Sequence, residues 1–163
     1  MTVDVECFNF ETNSFDYEKI PERIYREALP PLLDLFGKHD VKATFFFTGK
    51  YAELSPESVK LVASKGHEVG CHGYSHDQYF DELPYERQVE LLGESKEILE
   101  KSIQMDVVSF RAPALRINKD TVKALEETGF KFDSSVAPQR FDGPLTSGGG
   151  KKLSWLTAAR KPY

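Results

Sequence analysis

Short apolar runs alternate along this chain with longer amphipathic stretches. Thr2 to Phe8 reads as a strand, and Val41 to Thr48 as a second, with Phe45, Phe46 and Phe47 in succession. His67 to Cys71 is a third, after the Gly66 turn. Val107 to Phe110 is a fourth, and Phe130 to Asp133, entered through Gly129, a fifth. Unbroken apolar runs suit strands covered on both faces.

The stretches between them carry helical spacing. Pro31 to Lys38 is one helix, with Pro30 and Pro31 at its first turn, where a missing N–H costs nothing, and Leu32, Leu33, Leu35 and Phe36 as its core face. Ser55 caps a second, with Pro56 in its first position and Val59, Val62 and Ala63 inward. Pro84 to Ile103 holds the longest, with Val89, Leu92, Leu99 and Ile103 on one side. Asn118 caps a fourth, whose buried stripe is Val122 and Leu125. Strands alternating with helices mean an α/β fold with parallel strands, either an open doubly wound sheet or a barrel. No glycine-rich nucleotide loop follows any strand, which weighs against nucleotide-binding versions. Ser147-Gly148-Gly149-Gly150 is a flexible loop too short to separate domains, so residues 1–163 are expected to form one domain.

Composition narrows the picture. At 163 residues the chain can build one sizeable core. Its net charge of −5 and its scattered Lys and Arg argue against a nucleic-acid face. No run approaches the roughly 20 apolar residues that cross a bilayer, so no membrane partner is expected. The start Met1-Thr2-Val3-Asp4 shows no leader, so the expected location is cytoplasmic. The two cysteines, Cys7 and Cys71, read as small buried apolar residues.

Polar residues gather after strand ends: Asp4 and Glu6 on the first, His72 and His76 after the third, Arg111 after the fourth, Asp133 and Ser134 after the fifth. In parallel α/β folds the carboxyl ends of strands open onto one face, where sites are built. His72-Gly73-Tyr74-Ser75-His76 places two imidazoles four apart, so that on a helical turn both reach one ion. Two residues apart on a strand, Asp4 and Glu6 face one side. Acids on a central apolar strand are costly to bury unless paired or metal-bound. The plainer alternative is an edge strand whose acids meet solvent. Two histidines and one carboxylate, from Asp4 or Glu6, leave open positions on a metal, as catalysis requires. Arg111 would pair with a carboxylate and hold it ionised.

Together these residues resemble the polysaccharide deacetylase family, carbohydrate esterase family 4. Asp4-Val5-Glu6 lies where the first motif of that family lies. The His72 to His76 stretch is similar to its His-x-x-x-His motif, Phe110-Arg111-Ala112-Pro113 to its third and Asp133-Ser134-Ser135 to its fourth. The runs from Val41 to Gly49 and from Gly66 to His72 resemble its second and third strands. The resemblance implies a distorted (β/α) barrel and one divalent metal ion, zinc foremost. It also implies hydrolysis of an N-acetyl group from an amino sugar or polysaccharide, or of a cyclic amide in an allantoinase-like branch. A carbohydrate or small molecule is the partner implied. On the motif positions, Asp4 is the base, Glu6, His72 and His76 hold the metal, and Arg111 and Asp133 support catalysis. Tyr74, Pro113 and Ser134 are expected to meet substrate, with the Tyr74 N–H as an oxyanion donor.

Two departures stand out. Val5 occupies the place of the second of two adjacent aspartates. The Asp-x-Glu form resembles the cyclic-amide branch and leaves open the exchange in which Asp4 binds metal and Glu6 supports it. No histidine follows His76, where the family places its general acid, and the chain reaches Tyr163 before the last barrel strands. The expectation is a barrel incomplete at its C-terminus, whose bare strand edges favour self-association. A non-catalytic carbohydrate-binding relative that keeps only the fold is the competing reading.

Overall fold

The computed structural model describes residues 1–9 and 12–136. The loop expected at 147–150 lies outside them. The elements run β1 (Thr2–Val5), a hairpin of β2 (Phe8–Asn9) and β3 (Ser14–Phe15), then α1 (Ile20–Arg23) and α2 (Leu29–Lys38). They continue with β4 (Thr44–Phe47), α3 (Gly49–Leu54), α4 (Pro56–Ser64), β5 (Glu68–Cys71) and α5 (Tyr85–Ile103). The last are β6 (Ser109–Phe110), α6 (Lys119–Glu127) and β7 (Phe132–Asp133).

β1, β4, β5, β6 and β7 form one parallel sheet in that order, and β2 pairs with β3 apart from it. The order never reverses. Right-handed crossovers then put every connecting helix on one face, which excludes the doubly wound option and gives the winding of a barrel. Val5, Phe45, Phe47, Val69, Cys71 and Phe110 point to the helices and form the core with Leu33, Val59, Val62, Leu92 and Leu99. Thr2, Asp4, Thr44, Phe46, Glu68 and Gly70, register neighbours on β1, β4 and β5, point the other way. On that inner face Thr44 Oγ1 donates to Glu68 at 2.5 Å, and Ser109 Oγ donates to the other oxygen of the same carboxylate.

Several expectations shift. The first strand stops at Val5 rather than Phe8, because Phe8 turns away to pair with Phe15. β1 is an edge of the sheet among the described residues, not a central strand. The helix expected from Pro31 begins at Leu29 and is preceded by helical turns from Ile20. Pro30 and Pro31 lack the N–H groups an α-ladder needs. The Ile24–Ala28 turn widens to π geometry, with the Leu29 N–H reaching the Ile24 carbonyl.

Val122 and Leu35 are 49% and 50% exposed. The buried faces are centred on Thr121, Ala124 and Leu125, and on Leu29, Leu33 and Phe36, which turns both residues outward. Asn118 caps α6 as expected, its side chain accepting from the Asp120 and Thr121 N–H groups. Ser55 stands at the cap position of α4, but its hydroxyl bonds Ser58 and Glu57 instead. No helix among the described residues is long and apolar enough to cross a membrane.

Candidate metal centre

The carboxyl ends of β1 and β5 deliver the residues singled out above. Asp4 lies on β1, and Glu6 one residue past its end. His72 extends β5, its N–H donating to the Phe47 carbonyl at 2.8 Å. The helical turn expected for His72–His76 does not form. Gly73 turns the chain at φ +71°, a conformation that disfavours any side chain, and a Cβ there would meet the Phe80 ring at 3.0 Å. The loop is pinned to the start of α3, where the Gly49 and Lys50 N–H groups donate to the Gly73 and Tyr74 carbonyls at 2.9 and 2.8 Å. His76 thereby returns to face His72, with ring centroids 5.5 Å apart.

Glu6, His72 and His76 each offer a ligand atom, and the three lie within 4.8 Å of one another. Glu6 Oε2 is 3.3 Å from His76 Nε2. Two ligands at about 2.0–2.1 Å from a tetrahedral ion sit about 3.4 Å apart, so this pair already has the required separation. The contact is not an ion pair. Burial lowers the pKa of His76 and favours its neutral form, and the same cause pushes the Glu6 carboxyl up to about 7, with the Asp4 charge adding to it. Burial also lowers His72. Glu6 Oε2 is buried without a hydrogen-bond partner among the described residues. Two neutral imidazoles around an unpartnered buried carboxyl oxygen are a donor set that a divalent cation would satisfy. His72 Nδ1 lies 2.7 Å from the Arg111 carbonyl oxygen. In the tautomer that donates there, Nε2 keeps its lone pair for a ligand.

Asp4 is held differently. Arg111 Nη1 donates to its Oδ1 at 2.8 Å, while Nη2 donates to Thr2 Oγ1 at 3.1 Å and Ser134 Oγ at 2.8 Å. The Asp4 charge acts on both imidazoles and on Glu6, which places it beside the cluster but outside it. Asp133 Oδ1 accepts from the Ser135 N–H at 2.9 Å and the Ser135 hydroxyl at 2.5 Å, and that hydroxyl oxygen accepts from the Ala112 N–H at 2.8 Å. The end of β7 is thus tied to the segment that carries Arg111. Burial raises Asp133, and its Oδ2 has no partner among the described residues.

The remaining sequence candidates stand outside the three-residue cluster. The Tyr74 hydroxyl donates to Glu53 on α3 at 3.0 Å. Pro113 is buried, its ring within contact of Gly73. Ser134 accepts from Arg111. Three contacts at the site were not read from the sequence. Thr2 shares the Arg111 guanidinium, as the period of two from Asp4 allows. Ser135 bridges Asp133 to Ala112. Phe15, on the hairpin, lies 6.1 Å from the His76 ring, and no local pattern signals that approach.

Comparison with known proteins places the chain in a family. The family model described as polysaccharide deacetylase matches residues 12–132. A peptidoglycan deacetylase of Helicobacter pylori is 30% identical over 145 residues, covering 85% of this chain and 49% of its own length. A peptidoglycan N-acetylglucosamine deacetylase solved with 4-naphthalen-1-yl-N-oxidanyl-benzamide superposes with a TM-score of 0.62 at 26% identity, over 81% of this chain and 53% of that one. A CE4 family pseudoenzyme from Bacillus anthracis gives 0.65 at 23% identity, over 81% and 41%, a likeness of fold. The chain spans about half or less of the length of these curated relatives.

Proposed function

Because the chain belongs to the polysaccharide deacetylase family, we propose that it serves a hydrolase that removes N-acetyl groups from amino sugars of a polysaccharide. Glu6, His72 and His76 hold a divalent ion, zinc foremost. The observation that carries this reading is the convergence of those three ligand atoms, with Asp4 beside them and fixed by Arg111.

A bound ion supplies polarisation of the amide carbonyl and acidification of a water. Asp4 is the base that takes a proton from the attacking water, and Arg111 keeps its carboxylate aimed. Thr2 and Ser134 hold the guanidinium on its other side. The departing nitrogen needs a proton. Of the other two histidines, His39 ends α2, and His67 Nδ1 accepts from the Ala43 N–H at the opposite end of the sheet. On this reading the proton that Asp4 has gained is returned to that nitrogen.

The test is acetate release from N-acetylglucosamine oligomers, with metal content measured alongside. Asp4→Asn keeps metal and loses turnover; a loss of metal instead would exchange the roles of Asp4 and Glu6. The Asp-x-Glu spacing supports a second reading, a cyclic amidohydrolase on the same residues. Ring opening of an allantoin-like substrate without acetate release would select it.

A further inference from the structure

Arg111 leaves the end of β6, and its guanidinium passes over β5 and β4 to reach Asp4 on β1. Register decides what lies beneath it. Phe46 on β4 stands opposite Asp4 on one side and Gly70 on the other. A Cβ at Gly70 would sit 2.6 and 2.7 Å from Cδ1 and Cε1 of Phe46, so the ring fills the place a side chain at 70 would take. The Arg111 guanidinium carbon lies 4.4 Å from the centroid of that ring.

Core packing does not account for this ring. Phe46 is 2% exposed, yet it belongs to none of the helix-side core. Its inner-face neighbours are Thr2, Asp4, Thr44, Glu68 and Ser109. Above it, Nη1 and Nη2 of Arg111 are bound to Asp4, Thr2 and Ser134, while Nε has no partner among the described residues. The side chain of Arg111 is 14% exposed, so water screens its charge little. A weakly hydrated planar cation on an aromatic face is attracted by the ring quadrupole, more strongly when desolvated.

We propose that Phe46, seated on Gly70, is a positioning residue whose ring face sets the height and tilt at which Arg111 presents itself to Asp4. The proposal rests on the hydrolase reading above for its effect on turnover, and on the stack alone for its effect on Arg111. A ring that only fills space would be replaceable by any side chain of similar volume. A ring that acts through its face would not.

The test replaces Phe46 with mono-, di- and trifluorinated phenylalanines, which keep the shape and progressively weaken the negative face. Turnover of the N-acetyl sugar should fall stepwise, by about tenfold at the trifluoro ring. KM, metal content and thermal midpoint stay level. The ¹⁵N signal of Arg111 Nε shifts in the same steps. Phe46→Tyr, which keeps the face, retains most of the turnover; Phe46→Leu, which keeps the bulk, does not. An Nε signal indifferent to fluorination, or a Phe46→Leu protein as active as the unsubstituted one, overturns the proposal. A protein that binds metal but releases no acetate, with the Nε signal still shifting in steps, defeats the hydrolase reading and upholds the stack.

Discussion

His72 and the backbone of Arg111 are joined directly: the imidazole Nδ1 stands 2.7 Å from the Arg111 carbonyl oxygen. One residue therefore reaches the candidate metal centre twice. Its carbonyl lies against the ring of a candidate ligand, and its guanidinium holds Asp4. On the proposed reading, one residue thus serves both the orientation of a metal ligand and the alignment of the base, through separate groups.

Metal content follows from that arrangement. His72→Ala, His76→Ala and Glu6→Gln each remove one of three ligands and should leave the protein without stoichiometric zinc after dialysis. Arg111→Met leaves the carbonyl in place. It should keep the metal, losing turnover by about 10²–10⁴ as the base is misaligned. Elemental analysis beside acetate release checks both, and near-equal metal in all four variants would refute the centre.

The pH dependence of stability has a definite sign. In chelated protein the Glu6 carboxyl is pushed from 4.5 to about 7, so its protonated form is the one that suits the fold. That contribution is complete below 4.5 and is lost as pH rises towards 7. Glu6→Gln should match the parent at low pH and exceed it in thermal midpoint by a margin that widens across this window, then levels. The two histidines, kept neutral by burial, cost stability as pH falls below 6.5, in both proteins alike. Calorimetry that finds a margin independent of pH contradicts the assignment.

Asn118 is placed to matter beyond its own helix. Its oxygen caps α6, and its Nδ2 donates to the Phe80 and Asp81 carbonyls at 3.1 and 3.4 Å. Asn118→Ala should cost about 2 kcal/mol in urea unfolding, more than the ~1 kcal/mol of a cap alone. Asn118→Asp keeps the cap and loses the donors, so its stability should fall between.

Both thiols should be silent in the native protein. Cys7 and Cys71 are buried and free, and burial pushes each up to about 12. A thiol reagent at neutral pH should label neither residue until denaturant is added, and then both. Rapid labelling of the folded chain would show that the core is looser than its burial suggests.

What the sequence made legible is what depends on spacing along one element. A period of two joined Asp4 to Glu6, and strand ends gathered His72, Arg111 and Asp133 at one rim. The alternation of strands and helices made the parallel α/β fold legible but left a doubly wound sheet and a barrel both open, and only the resemblance pointed to the barrel. What stayed hidden depends on neighbours across the sheet. The stack of Gly70, Phe46 and Arg111 exists only in one register, and no linear pattern separates Phe46 from Phe45 and Phe47, which face the other way. The histidine pair was expected on a helical turn, but Gly73 brings it together in a loop. Helical phase misled at Val122, because an apolar side chain at the margin of a short helix looks the same in sequence as one at its centre.

Among the described residues the β2–β3 hairpin holds no member of the candidate metal cluster and no strand of the main sheet, yet Phe15 packs edge-on to Phe8, stacks on Tyr17 and comes within 6.1 Å of His76. Such an attachment can be exchanged without unpicking the scaffold, since lengthening a surface loop costs little entropy. A graft of a longer or less aromatic hairpin between Cys7 and Asp16, whose backbones are already joined at 2.8 Å, should therefore change what lies against His76 while leaving the main sheet in place. The hairpin and the scaffold are separable pieces of this molecule, and the first can be rebuilt without dismantling the second.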